Sequence, residues 1–142
     1  MSAHPSTLYS ETVLRHNRAP HNFGVLADAT HSGCADNALC GDHVELHLRI
    51  CDGLIERAQF EGDACAITTA AASMLTDALR GQTLAAVATL RDAMSAMFQG
   101  GAAPDDSDFA ALQELRHHPA RQRCALLPFD AALAALQPRF QA

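Results

Sequence analysis

The chain has 142 residues, with 16 acidic and 10 basic side chains, so its formal net charge is −6. Every basic residue is arginine, alanine fills 29 positions, and valine plus isoleucine together fill seven. This length builds one domain around one core, the alanine excess favours helix over sheet, and the acidic balance argues against a basic nucleic-acid-binding face. No apolar stretch approaches the ~20 residues that span a bilayer, and Met1 to Ser10 has neither the charged start nor the apolar run of a secretory signal. The expected compartment is the cytoplasm, with neither nucleic acid nor membrane as partner.

In chain order, the first helix is expected from Thr7 to about Asn17, capped by Ser6 or Thr7, and stopped at Ala19-Pro20. A loop follows from Pro20 to Leu26, with a short edge strand around Thr30 to Ala35. The clearest strand is Asp42 to Ile50. There Val44, Leu46, Leu48 and Ile50 alternate with His43, Glu45, His47 and Arg49, the period-2 pattern of a sheet with one solvated face. Asp52-Gly53 is a tight-turn signal, and Leu54 to Glu61 returns as the partner strand. From Cys65 to Arg80 the apolar spacing becomes helical, and Gly81 terminates it. Thr83 is placed to cap a second helix carrying Leu84, Val87, Leu90, Met94, Met97 and Phe98, the last three as packing residues. Asp105 to Leu115 reads as a short helix, and Cys124 to Leu136 as the last one, with Pro128 in its first turn. The fold class is α+β: a small antiparallel sheet of about three strands with helices on one face, in a single domain over residues 1–142.

The five cysteines are odd in number, and a chain without a secretory signal is not expected to hold disulfides. Metal binding, thiol chemistry and plain burial remain open. Cys40 lies in Cys40-Gly41-Asp42 at the mouth of the main strand, and Cys65 and Cys124 each begin an expected helix, where the helix dipole favours a thiolate. If these ends converge, three sulfurs and the Asp42 carboxylate form a four-coordinate set suited to zinc. No Cys-x-x-Cys pair reinforces that reading. Of the other two cysteines, Cys51 falls on the polar side of its strand, and Cys34 is near enough in sequence to act as a resolving or receiving thiol. His43 and His47 fall on the polar strand face and His117-His118 in a loop. His43, beside Asp42, is the histidine best placed to approach a metal.

The run from Tyr9-Ser10-Glu11 through His16 to Pro20-His21-Asn22-Phe23-Gly24 resembles the opening of the iron–sulfur scaffold family that includes IscU, SufU and the N-terminal part of NifU. Cys40-Gly41-Asp42, Phe60-Glu61-Gly62-Asp63-Ala64-Cys65 and Pro119-Ala120-Arg121-Gln122-Arg123-Cys124 resemble that family's three cysteine motifs, in order. A segment at about residues 99–116 is similar to the insertion that distinguishes SufU from IscU. Arg123 stands where IscU-type scaffolds carry histidine, and His117-His118-Pro119-Ala120-Arg121 replaces their Leu-Pro-Pro-Val-Lys run. The chain departs from the family at Ala19-Pro20-His21-Asn22, usually Asn-Pro-Arg-Asn, and at Ala64, usually glycine.

The SufU resemblance implies zinc held by Cys40, Asp42, Cys65 and Cys124, with sulfur taken from a SufS-like cysteine desulfurase for downstream cluster-assembly proteins. In the family mechanism the desulfurase forms a persulfide, and a zinc-ligand exchange frees one scaffold thiolate to attack it. Cys40, on a glycine-flexible loop, is the expected acceptor, and Arg121 is expected to steer Asp42 or the incoming persulfide. Two alternatives use the same residues: a scaffold that binds iron and assembles a [2Fe–2S] cluster on the three cysteines, and a binding protein that keeps zinc structurally.

Overall fold

The computed structural model describes residues 10–104 and 108–137. Helix α1 (Glu11–Arg18) begins with Ser10 accepting a hydrogen bond from the Val13 N–H, Glu11 in its first turn and Arg15, His16 and Arg18 in its last. That charge order suits the helix dipole. Ser10 is thus the cap, while Ser6 and Thr7 lie outside the described residues.

Three strands follow, β1 (His31–Asn37), β2 (Asp42–Cys51) and β3 (Leu54–Asp63), in the antiparallel order β1-β2-β3. The expected alternation holds along β2, where Asp42, Val44, Leu46 and Leu48 are buried on the helix-covered side. Asp52 and Gly53 both have positive φ, 53° and 77°, as a two-residue hairpin turn of the I′ type requires. The Pro20 loop is pinned to this framework. Asn22 donates to Thr76 and Asp77, His21 contacts Asp77, and Phe23 forms an isolated parallel bridge with Phe60. Of its two unusual residues, His21 is tied in by that contact, and the Ala19 N–H bonds the Arg15 carbonyl at the end of α1.

Helix α2 (Ala66–Leu79) is apolar nearly all round and is the central helix of the core, as such a pattern requires. Gly81, at φ 80°, ends this segment as expected. Helix α3 (Ala85–Phe98) is not capped by the Thr83 side chain. Thr83 bridges to Leu54 and offers Ala86 only its backbone carbonyl, so Leu84 takes the cap position. Met94, Met97 and Phe98 are buried as packing residues.

The short helix expected over Asp105 to Leu115 is a 3₁₀ helix over Asp108–His117, with residues 105–107 outside the described set. Phe109, Leu112 and Leu115 recur every third residue, and a helix of three residues per turn stacks them on one buried side. Its start is anchored by His16, whose Nδ1 and Nε2 lie 2.6 Å from Ser73 Oγ and 2.6 Å from Asp108 Oδ2.

The last helix, α4, spans Pro119–Leu136, one turn and more longer than expected. Pro119 sits in its first turn, where a missing N–H costs nothing, so Cys124 lies inside the helix and Pro128 lies deeper still. Among the described residues, no helix is long and apolar enough to cross a membrane.

Helix α4 packs across β1 and β2. Gly33 of β1 makes the approach possible. A Cβ there would lie 2.6 Å from the Ala131 carbonyl oxygen and closer still to the Ala135 nitrogen. Gly33→Ala is expected to destabilise the fold by ~1–3 kcal/mol, the usual range for overpacking, seen as a lower urea midpoint at unchanged m-value.

Candidate metal centre

The four predicted ligands come from the turn between β1 and β2, from β2 itself, and from α2 and α4. Cys40 sits in the four-residue turn between β1 and β2, where Gly41 has φ 72° and the Cys40 and Gly41 N–H groups both bond the Asn37 carbonyl. The Asn37 side chain braces the same turn: its oxygen accepts from the Leu39 N–H, and its nitrogen lies 3.7 Å from Cys40 Sγ. Asp42 opens β2 on the buried side and is only 4% exposed. Cys65 is the N-cap of α2. Cys124 is fully buried in the second turn of α4, not at its start.

These elements bring the side chains together. One ligand atom each from Cys40, Asp42 and Cys124 lie within 4.8 Å of one another, and the Cys40 and Cys124 sulfurs are 3.7 Å apart. Cys65 borders that set: its N–H donates to Asp42 Oδ1 at 3.0 Å, and its sulfur lies 3.5 Å from Thr68 Oγ1. The buried thiol of Cys124 shows what the site lacks in charge balance. Burial first, then the neighbouring Cys65 and Cys40, push its pKa up to about 12. The helix-dipole help expected from a position at the helix start is absent, so a coordinated cation is what would hold this sulfur as thiolate. Three sulfurs and one carboxylate form a donor set that fits zinc.

Thr68 completes the arrangement, and sequence reading missed it. Pro128 has no N–H to give the carbonyl four residues earlier, which is that of Cys124. Thr68 Oγ1 lies 3.0 Å from this carbonyl and 2.8 Å from Asp42 Oδ2, one hydroxyl proton serving both acceptors. The available signal was the pairing of Pro128 four residues after Cys124 with a buried hydroxyl three residues after Cys65.

The remaining predicted residues divide clearly. Arg121 is half-buried in the first turn of α4 and precedes Cys124 by three residues, which puts both on one side of the helix. Arg123 is exposed and lines a cavity of about 280 Å³ with Asn37, Leu39, Cys40, Pro119 and Ala120. His43 does not approach the centre. Neighbouring strand residues face opposite ways, so His43 is turned away from Asp42 and engages Asp36 and Glu45 instead. Cys34 pairs across the sheet with Glu45 and so shares that outer face, opposite to Asp42. Cys51 is exposed at the far end of β2, as expected. A larger cavity of about 580 Å³, lined by His16, Met74, Asp77, Leu90, Asp108 and Phe109, contains none of the predicted ligands.

Thr68→Val is expected to cost ~1–3 kcal/mol, because a buried carbonyl loses its donor, while Thr68→Ser is near neutral. Adding Pro128→Ala to Thr68→Val restores a helix N–H for the Cys124 carbonyl. The two changes should therefore be non-additive in urea unfolding, with the double variant more stable than the sum predicts.

Residues 8–127 match the NifU-like N-terminal domain. The chain is 35% identical over 133 residues to the zinc-dependent sulfurtransferase SufU of Bacillus subtilis, covering 92% of this chain and 90% of that one. It is 32% identical to the iron–sulfur cluster assembly scaffold protein IscU of Streptococcus pyogenes, covering 92% and 83%. Among solved structures, the N-terminal NifU-like protein of Brucella abortus superposes with a TM-score of 0.83 at 28% identity, over 92% of this chain and 93% of that one. With its three cysteine motifs on a three-stranded sheet backed by helices, the chain belongs to the NifU-like N-terminal domain family, the iron–sulfur cluster assembly scaffolds that include SufU and IscU.

Proposed function

We propose that this protein is a zinc-dependent sulfur carrier that accepts sulfane sulfur on Cys40 from a SufS-like cysteine desulfurase and passes it to downstream cluster-assembly proteins in the cytoplasm. The observation that carries this reading is the asymmetry of two sulfurs 3.7 Å apart: Cys40 is exposed on a turn, whereas Cys124 is fully buried in a helix. One sulfur can meet a partner's active-site loop, and the other can only anchor. The SufU-like insertion, docked as a 3₁₀ helix through Asp108 and His16, and the 35% identity to a zinc-dependent sulfurtransferase support the same branch.

Cys40, Asp42, Cys65 and Cys124 would hold the zinc, which when bound supplies a Lewis-acidic charge that keeps coordinated thiols deprotonated. In the transfer step the Cys40 thiolate attacks the terminal sulfur of the desulfurase persulfide. A new S–S bond forms on Cys40, the bond between that sulfur and the desulfurase cysteine breaks, and the desulfurase cysteine leaves as a thiolate. No net oxidation occurs. Arg123 lines the cavity beside Cys40, and together with Arg121 on the Cys124 side of the helix it gives an incoming persulfide anion a cationic border. Cysteine ligation of a [2Fe–2S] cluster on the same three sulfurs is the second reading, favoured by the similarity to IscU scaffolds.

The test is metal analysis of the protein as purified, combined with desulfurase turnover in its presence and absence. Bound zinc and a several-fold rise in turnover, lost in Cys40→Ala, are expected. Stoichiometric iron and sulfide with visible charge-transfer absorption, and no stimulation, would overturn the proposal in favour of the cluster scaffold.

A further inference from the structure

The face of the sheet turned away from the helices carries a second group of ligand-type side chains. Nε2 of His47 lies 2.9 Å from Glu61 Oε1 and 3.7 Å from Glu45 Oε1, and one ligand atom from each of the three residues falls within 4.8 Å of the others. Glu45 and Glu61 are direct partners across β2 and β3. Two like charges so placed repel, and the nearby guanidinium groups do not relieve them: Arg49 turns to Asp28 and Glu56, and Arg57 to Asp28 and Gln59. The groups that face the two carboxylates are the imidazoles of His47 and His43, the latter 3.4 Å from Glu45 Oε2.

The imidazole of His47 is oriented rather than loose. Its side chain is 13% exposed, and its Nδ1 lies 2.9 Å from Ser32 Oγ on the neighbouring strand. With Nδ1 occupied by Ser32, Nε2 is the nitrogen that faces the two carboxylates, and a partner on the far ring nitrogen is common behind metal-bound imidazoles. The spacing also suits a cation. Tetrahedral bonds of 2.0–2.2 Å put neighbouring ligand atoms about 3.4 Å apart, and the two observed separations, 2.9 and 3.7 Å, bracket that value. All three side chains project from a rigid two-strand ladder.

We propose that Glu45, His47 and Glu61 form a second metal site, on the outer face of the sheet, that takes a divalent first-row cation such as zinc through one nitrogen and two carboxylates, with open positions toward solvent. It shares no ligand with the cysteine centre and does not depend on sulfur transfer. Nitrogen and oxygen donors make it the weaker of the two sites for zinc, so it fills after the thiolates.

Equilibrium dialysis of the full-length protein against zinc, followed by metal and protein analysis, tests the site. Wild type is expected to bind a second equivalent beyond the one taken by the cysteines. His47→Ala and Glu61→Gln should each lose that second equivalent while retaining the first and an unchanged circular dichroism spectrum. Ser32→Ala, which removes the partner of Nδ1, should weaken the second equivalent by about 10–100-fold. Cys65→Ala should lose the first equivalent and keep the second, which separates this site from the proposed sulfur-transfer centre. Saturation of wild type at one equivalent, or a second equivalent undiminished in His47→Ala, would overturn the proposal and leave an ion-pair cluster only.

Discussion

The hydroxyl of Thr68 is where the fold and the candidate metal centre meet. It stands on the buried first turn of α2, within hydrogen-bond distance of the Asp42 carboxylate on β2 and the Cys124 carbonyl on α4. That carbonyl is available because Pro128 removes the helix N–H that would otherwise take it. The Cys65 N–H holds the other Asp42 oxygen, so sheet, central helix and last helix are tied by one carboxylate and one hydroxyl in a dry environment. Hydrogen bonds in such a setting are costly to leave unmade. The ligand positions are therefore consequences of the packing, and the exposed Cys40 turn is the one part of the centre that stands outside it.

The two faces of the sheet carry different groups of ligand-type side chains because β2 alternates from Asp42 to Arg49. Asp42 points with Val44, Leu46 and Leu48 toward the helices, while His43, Glu45 and His47 point away. This division separates the cysteines as well. Cys40, Cys65 and Cys124 gather on the helix side, whereas Cys34 shares the outer face with Glu45 and Cys51 ends the strand in solvent. Proximity in sequence between Cys34 and Cys40 does not become proximity in space, since Cys34 faces outward on β1 while the turn after β1 brings Cys40 beside Cys124.

The hairpin of β2 and β3 was legible because period-2 alternation and an Asp-Gly turn are local signals, and both hold in the structure. The three cysteine motifs were legible in order rather than through spacing, and the structure gathers Cys40, Asp42 and Cys124 with Cys65 at their border. What escaped was set by tertiary contacts. Pro119 as a helix start was hidden because Pro128 reads equally well as a first-turn proline, which sets the expected start at Cys124. The residues from Asp108 form a 3₁₀ helix because Phe109, Leu112 and Leu115 must reach one core surface together, a constraint visible only once that surface exists. Thr68 carries no motif of its own, and its role follows from an unsatisfied carbonyl on another helix. His43 was drawn toward the centre by its neighbour Asp42, although strand geometry turns adjacent side chains apart.

The exposed Cys40 beside the buried Cys124 is the feature on which the functional account turns, and the position of the transferred sulfur reports on it directly. The protein would be incubated with a cysteine desulfurase and cysteine, trapped with an alkylating reagent and mapped by peptide mass spectrometry. A sulfur added to Cys40, and absent from Cys34 and Cys51 on the outer side, is the predicted result. Sulfur found on Cys34 or Cys51 with Cys40 unmodified would contradict it.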